Sequence, residues 1–151
     1  MPSIHETVDI RADPEAVFDL ITRMEEFPRY AHFIKKVHVT GPKKSHWTAR
    51  VLGLWLEWDS LVTECERPRR FAWQSTKGAA TRGSYTLERI PGGTKLSFFM
   101  EYRFPNSLVE MTLGPLAAPF AREGAARALA RVKRQLERAK GTSHEQVSSF
   151  R

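Results

Sequence analysis

Residues 56–102 read LEWDSLVTECERPRRFAWQSTKGAATRGSYTLERIPGGTKLSFFMEY, and the reading of this stretch decides the fold. Apolar and polar residues alternate along it with period two, the spacing of a strand with one buried face. Over 56–64 the even positions Leu56, Trp58, Ser60 and Val62 form the more apolar set, against Glu57, Asp59, Leu61 and Thr63. Phe71, Trp73 and Ser75 are the bulkier set of the next run, Tyr85 and Leu87 of the third, and Leu96, Phe98, Met100 and Tyr102 of the fourth. Turn signals separate the runs: RPRR, then Gly78, then Pro91-Gly92-Gly93. Consecutive strands with short turns predict an antiparallel meander with one aromatic face.

The pattern extends towards the N-terminus. SHWTARVLG alternates through Trp47, Ala49 and Val51, and KKVHVT ends at the turn Gly41-Pro42. Residues 4–10, IHETVDI, put Ile4, Val8 and Ile10 on one face and predict a first strand. A short helix follows: Asp13 suits its N-cap, Pro14 its first position and Glu15 its first turn, with an apolar stripe of Val17, Phe18 and Ile21. MEEFPRYAHF predicts a second short helix broken around Pro28.

Beyond the meander, a long helix is predicted from about Gly114 to Lys140. Pro115 can start it, and Pro119 should kink or restart it. Ala121, Ala125, Ala128, Val132 and Leu136 share one face, with Arg127, Arg131, Arg134 and Arg138 opposite. A one-sided apolar sheet needs a cover, and this helix is the only element large enough to supply it. Residues 141–151 read as a frayed tail.

With 151 residues, 41% hydrophobic and 27% charged, the chain fits one folded domain. Its one cysteine, Cys65, excludes an intrachain disulfide and a cysteine-based metal cluster. The five histidines are scattered and form no ligand pair, so neither metal nor cofactor is expected. The opening MPSIHETVDIRADPE lacks the apolar core of a signal peptide, and no apolar run approaches the roughly 18 residues of a transmembrane segment. A cytoplasmic location is the expectation; oligomeric state stays open. Of the net charge of +7, five units lie between Arg122 and Lys140.

The order of elements resembles the helix-grip fold shared by START domains, the birch-pollen allergen type and polyketide cyclases. ADPEAVFDLITRMEEFPRY (residues 12–30) is similar to the entry segment of the polyketide cyclase/dehydrase-like and coenzyme-Q-binding-like branch, and residues 56–102 are similar to its sheet. The resemblance runs from about Ile4 to Glu137. It implies an α+β architecture: a curved antiparallel sheet of about seven strands wrapped round a long C-terminal helix, two short helices after the first strand, and a cavity between sheet and helix. One domain over 1–140 is implied, with 141–151 as a flexible tail. The implied ligand is hydrophobic or aromatic: polyketide-like, an isoprenoid quinone or a lipid. If the protein is an enzyme, aldol-type cyclisation and dehydration is the implied chemistry.

By parity, the concave face carries Trp58, Ser60, Trp73, Ser75, Tyr85, Phe98, Met100 and Tyr102, with Phe120 and Gly124 opposite on the helix. Two outcomes fit large residues facing small ones: tight interdigitation, or a pocket walled by aromatics with a few hydroxyls. Trp55 is placed near the rim and His32 near the mouth. Glu57 and Asp59 project together to the outer face, as solvated acids rather than an acid–base pair. Arg82 lies in the KGAATRG hairpin, which lacks the pattern of a phosphate loop. No nucleophile arrangement is present, and catalytic residues stay unassigned. Arg127, Arg131, Arg134 and Arg138 are either the solvated face of the helix or a docking surface for a polyanion, such as ribosomal RNA, anionic lipid or an acidic carrier protein. No aromatic is interleaved with them, which argues against single-strand stacking.

Overall fold

Seven strands form one antiparallel sheet in a computed structural model that describes residues 2–104 and 106–149, with side chains described as far as residue 139. The strands are β1 (Ser3–Ile10), β2 (Ile34–Gly41), β3 (Lys44–Val51), β4 (Leu54–Glu66), β5 (Arg70–Gly78), β6 (Ala80–Ile90) and β7 (Gly93–Arg103). Their spatial order is β1-β7-β6-β5-β4-β3-β2, so every strand from β2 onward pairs with its chain neighbour. β1 joins by pairing with β7, Ile4 opposite Met100 and Ile10 opposite Thr94. The sheet stays open, with β1 and β2 as edges. β2 is irregular, its register with β3 shifting between Ile34 and Lys36 and again between Val39 and Gly41.

Helix α1 (Pro14–Ile21) and a 3-10 helix (Met24–Arg29) connect β1 to β2. Asp13 takes the N-cap position in extended conformation, yet its carboxylate makes no cap hydrogen bond and instead faces Arg89 at 3.8 Å. At the other end of α1 the Thr22 hydroxyl donates to the Phe18 carbonyl at 2.8 Å. Pro28 sits inside the 3-10 helix rather than breaking it. Val17, Phe18 and Ile21 are buried, as their spacing predicts.

Helix α2 spans Ser107–Ser149 and contains both Pro115 and Pro119. Its start therefore lies well before the Gly114 expected from sequence. Asn106 explains the earlier start: its side-chain oxygen accepts from the Val109 N–H at 2.9 Å, and its carbonyl accepts from the Glu110 N–H at 3.1 Å. Four residues apart, the two prolines fall on the same exposed side of the helix. Water can solvate the carbonyls they leave unpaired, so the helix continues. α2 runs on through residues 141–149, where the sequence reads as a frayed tail, and the side chains of residues 140–151 lie outside the described residues.

The two halves of α2 do different things. In the C-terminal half Ala125 is buried, and Ala128, Leu129 and Val132 join a core with Ile10, Val17, Phe18 and Leu96. Polar contacts tie this half to β1. Lys133 donates to the Asp9 carbonyl at 2.6 Å, and Glu137 receives Arg11 at 3.2 Å and Lys133 at 3.3 Å. Burial pushes the Glu137 carboxyl up, but the two cations outweigh it and hold it below its ordinary value. The N-terminal half of α2 turns Ala117, Phe120 and Ala121 towards the concave face of the sheet, and there the core opens.

Candidate functional site

Between the concave face of β3–β7 and the N-terminal half of α2 lies a cavity of about 140 Å³. Ala117, Phe120 and Ala121 form its helix wall, and Met24 and Phe27 of the 3-10 helix close one side. The sheet contributes Trp47, Trp58, Trp73, Tyr85, Phe98, Met100 and Tyr102. The rings lock one another. Trp47 and Trp58 are cross-strand partners and stack with centroids 6.1 Å apart at 7°. Trp73 stacks on Phe98 at 6.1 Å, and Tyr85 meets both at 5.4 Å. Such contacts orient the wall before any ligand arrives.

Polar atoms are few on this wall. Ser60 is buried on β4. The Thr81 hydroxyl oxygen is buried with no hydrogen-bond partner. Burial pushes the Tyr85 phenol far above its ordinary value, and that of Tyr102 is raised by burial against the pull of Arg122. Both are therefore hydroxyl donors and acceptors at neutral pH, not bases. Exposed Arg103 lines the cavity where β7 ends. Among the described residues no carboxylate, histidine or cysteine lines it.

Eight of the ten ligand-facing residues expected from sequence line this cavity: Trp58, Ser60, Trp73, Tyr85, Phe98, Met100 and Tyr102 from the sheet and Phe120 from the helix. Ser75 and Gly124 do not. Ser75 is used by the backbone, its hydroxyl accepting from the Thr81 N–H at 2.9 Å. The β5–β6 connection is wider than a tight hairpin, because β5 pairs with β6 only from Arg70 to Gln74; Ser75 fills the gap. Gly124 lies against Phe33: a Cβ there would stand 3.2 Å from the ring, and Phe33 in turn packs edge-on to Phe120. Sequence parity missed Trp47 and Thr81. Trp47 was recoverable, being on the same alternation as Ala49 and directly across from Trp58. Thr81 was hidden in the irregular connection, where alternation carries no information.

Glu57 and Asp59 are on the outer face as expected. They flank His46, whose Nδ1 lies 2.6 Å from Asp59 Oδ1 and whose Nε2 lies 3.7 Å from Glu57. The hydrogen bond to Asp59 leads the causes that raise the His46 pKa. Among the described residues no three His, Cys, Asp or Glu side chains group as a metal site. Trp55 is 57% exposed, with the Arg50 guanidinium 5.3 Å above its ring. His32 is exposed and not on the cavity wall. Arg82 bonds Glu101 at 2.9 Å on the outer face. Of the arginine stripe, Arg127 is paired with Glu123, and Arg131 donates to the Tyr30 carbonyl at 2.7 Å. Arg134 and Arg138 are exposed. No described helix is long and apolar enough to cross a membrane.

The architecture is shared with solved structures at low sequence identity. A protein from Thermus thermophilus superposes with a TM-score of 0.80 at 19% identity, covering 91% of this chain and 99% of that one. A START superfamily protein from Mycobacterium smegmatis gives 0.71 at 16%, covering 91% and 98%. The di-domain ARO/CYC protein BexL from the BE-7585A biosynthetic pathway gives 0.71 at 18%, covering 90% of this chain and 50% of that one. These likenesses establish a helix-grip α+β fold. No curated protein matches the sequence. The sequence does match, over residues 1–138, the family described as polyketide cyclase / dehydrase and lipid transport, and the chain belongs to that family.

Proposed function

We propose that this protein binds a small, largely apolar, ring-bearing molecule between its sheet and the N-terminal half of α2. The observation that carries this reading is the aromatic-walled cavity with one buried hydroxyl, that of Thr81, left without a partner. A buried polar group without a partner is rare, and a ligand oxygen or nitrogen at that point would satisfy it. The volume of about 140 Å³ is close to the roughly 150 Å³ of an apolar void that admits benzene. One ring enters such a space without rearrangement. A larger polyketide-like, quinone or lipid molecule needs Met24, Phe27 or Phe120 to move aside. The polar groups at hand are Ser60, Thr81, Tyr85, Tyr102 and Arg103, which suit orientation of a carbonyl or hydroxyl. Any cyclisation or dehydration here would rest on substrate folding and carbonyl polarisation.

Titration with 1,4-naphthoquinone, read by quenching of the indoles of Trp47, Trp58 and Trp73, tests the proposal. Saturable quenching is expected from the native protein. The Ala121→Trp variant, which fills the helix side of the cavity, should lose it while keeping native circular dichroism. Quenching that survives unchanged in the filled variant refutes binding in this cavity.

A further inference from the structure

The four arginines expected to form one stripe along α2 do not act alike, and a fifth joins them from elsewhere. A notch on the surface is lined by Arg29 and Tyr30, at the end of the 3-10 helix, and by Arg131, Arg134, Gln135 and Arg138 of α2. The spacing 131, 134, 135, 138 puts all four helix residues on one face. Arg29 reaches the same space from a different element. Arg131 is held in place by its hydrogen bond to the Tyr30 carbonyl at 2.7 Å.

The charge pattern sets this notch apart. Eight other arginines, Arg11, Arg67 and Arg82 among them, lie within salt-bridge distance of a carboxylate. None of the four in the notch does so among the described residues, and no acidic residue lines it. Four like charges facing one space repel, and among the described residues no acidic side chain lines that space to offset them. Guanidinium forks converging from two elements match the oxygens of a phosphoryl group, which each can grip with two parallel N–H donors. A flat polyanion would favour an evenly exposed stripe. Here Arg127 is taken by Glu123 and Arg131 is turned into the fold, so the charge converges on one concavity.

We propose that this notch binds the phosphoryl group of a phosphate monoester or diphosphate. The site is separate from the cavity and does not depend on what the cavity holds. The two share a wall: Phe27 of the 3-10 helix lines the cavity, and Arg29 lines the notch. An anion held between Arg29 and α2 therefore ties the 3-10 helix to the helix that forms the opposite side of the cavity.

Inorganic pyrophosphate, titrated into the full chain and followed by calorimetry and by the Arg side-chain NMR signals, is the first probe. Vesicles of phosphatidylcholine with and without phosphatidic acid are the second, separating a soluble phosphate from a lipid headgroup. Arg134 and Arg138 are exposed, so the double variant Arg134→Gln/Arg138→Gln should keep its fold, checked by circular dichroism. Saturable binding of either phosphate source by the native chain is expected, weakened roughly tenfold or more by that double variant. Arg122→Gln and Arg127→Gln, which remove the same charge outside the notch, should leave it within about twofold. The proposal is overturned if neither probe binds, or if the two pairs of substitutions weaken binding equally.

Discussion

Replacing Thr81 with valine should stabilise the empty protein and impair it as a binder. The hydroxyl oxygen of Thr81 is buried without a partner, and such a group costs about 1–3 kcal/mol of desolvation that no hydrogen bond returns. Valine keeps the branched shape, suits a strand at least as well, and puts a methyl group on an apolar wall. The expected gain is therefore about 1–3 kcal/mol. With a urea m value near ~2 kcal/mol/M, the midpoint rises by roughly 0.5–1.5 M with an unchanged slope. In a chain of this length each kcal/mol is also about 2–4 °C in Tm. A ligand that hydrogen-bonds Thr81 should bind the Thr81→Val protein roughly fivefold less tightly, since one such bond is worth about 1 kcal/mol. Urea unfolding followed by tryptophan emission reads the first effect, and the naphthoquinone titration reads the second. Destabilisation by Thr81→Val would refute the reasoning: it would mean that the hydroxyl makes a bond in the native state and is no vacancy for a ligand.

Two further outcomes follow from close contacts. A Cβ at Gly83 would stand 2.5 Å from Trp73 Cζ2 and 2.7 Å from the Phe99 carbonyl, so Gly83→Ala should cost about 1–3 kcal/mol. It should also displace the Trp73 indole, seen as an emission shift; unchanged emission and stability would show that the ring has room to give. On the outer face, the His46 pKa in the folded protein lies above its ordinary value of 6.5, so its pairing stabilises fully below that value and is lost as pH rises through the folded pKa. The stability difference between native protein and Asp59→Asn should therefore be larger at pH 6 than at pH 9, and the NMR-titrated pKa of His46 should fall in the variant. Equal differences at the two pH values would remove the pairing as a source of stability.

Strand parity was legible because each run of the meander has one wet and one dry face. Trp58 and Ser60 against Glu57 and Asp59 is the clearest case: one residue of slip would have put both acids in the core. The start of α2 was not legible, because Pro115 reads as an initiation signal when its side of the helix is unknown. What decides the matter is that Pro115 and Pro119 share an exposed face, which depends on tertiary packing. Ser75 and Thr81 trade places for a related reason. Parity assigns Ser75 inward, but the widened β5–β6 connection turns its hydroxyl to the Thr81 backbone and leaves the Thr81 side chain on the wall. The notch escaped because Arg29 and Arg134 are far apart in sequence and meet only through the docking of the 3-10 helix beside α2.

An open sheet leaves a strand edge whose amides and carbonyls could recruit another chain, and β2 is such an edge. Its two register shifts break the even ladder that an incoming strand would need, and Lys35, Lys36 and His38 are all exposed on it. An approaching copy would have to bury lysines against lysines along a bent template. The irregularity of β2 thus works as protection against fibrous self-association, which lets the sheet stay unclosed at this edge.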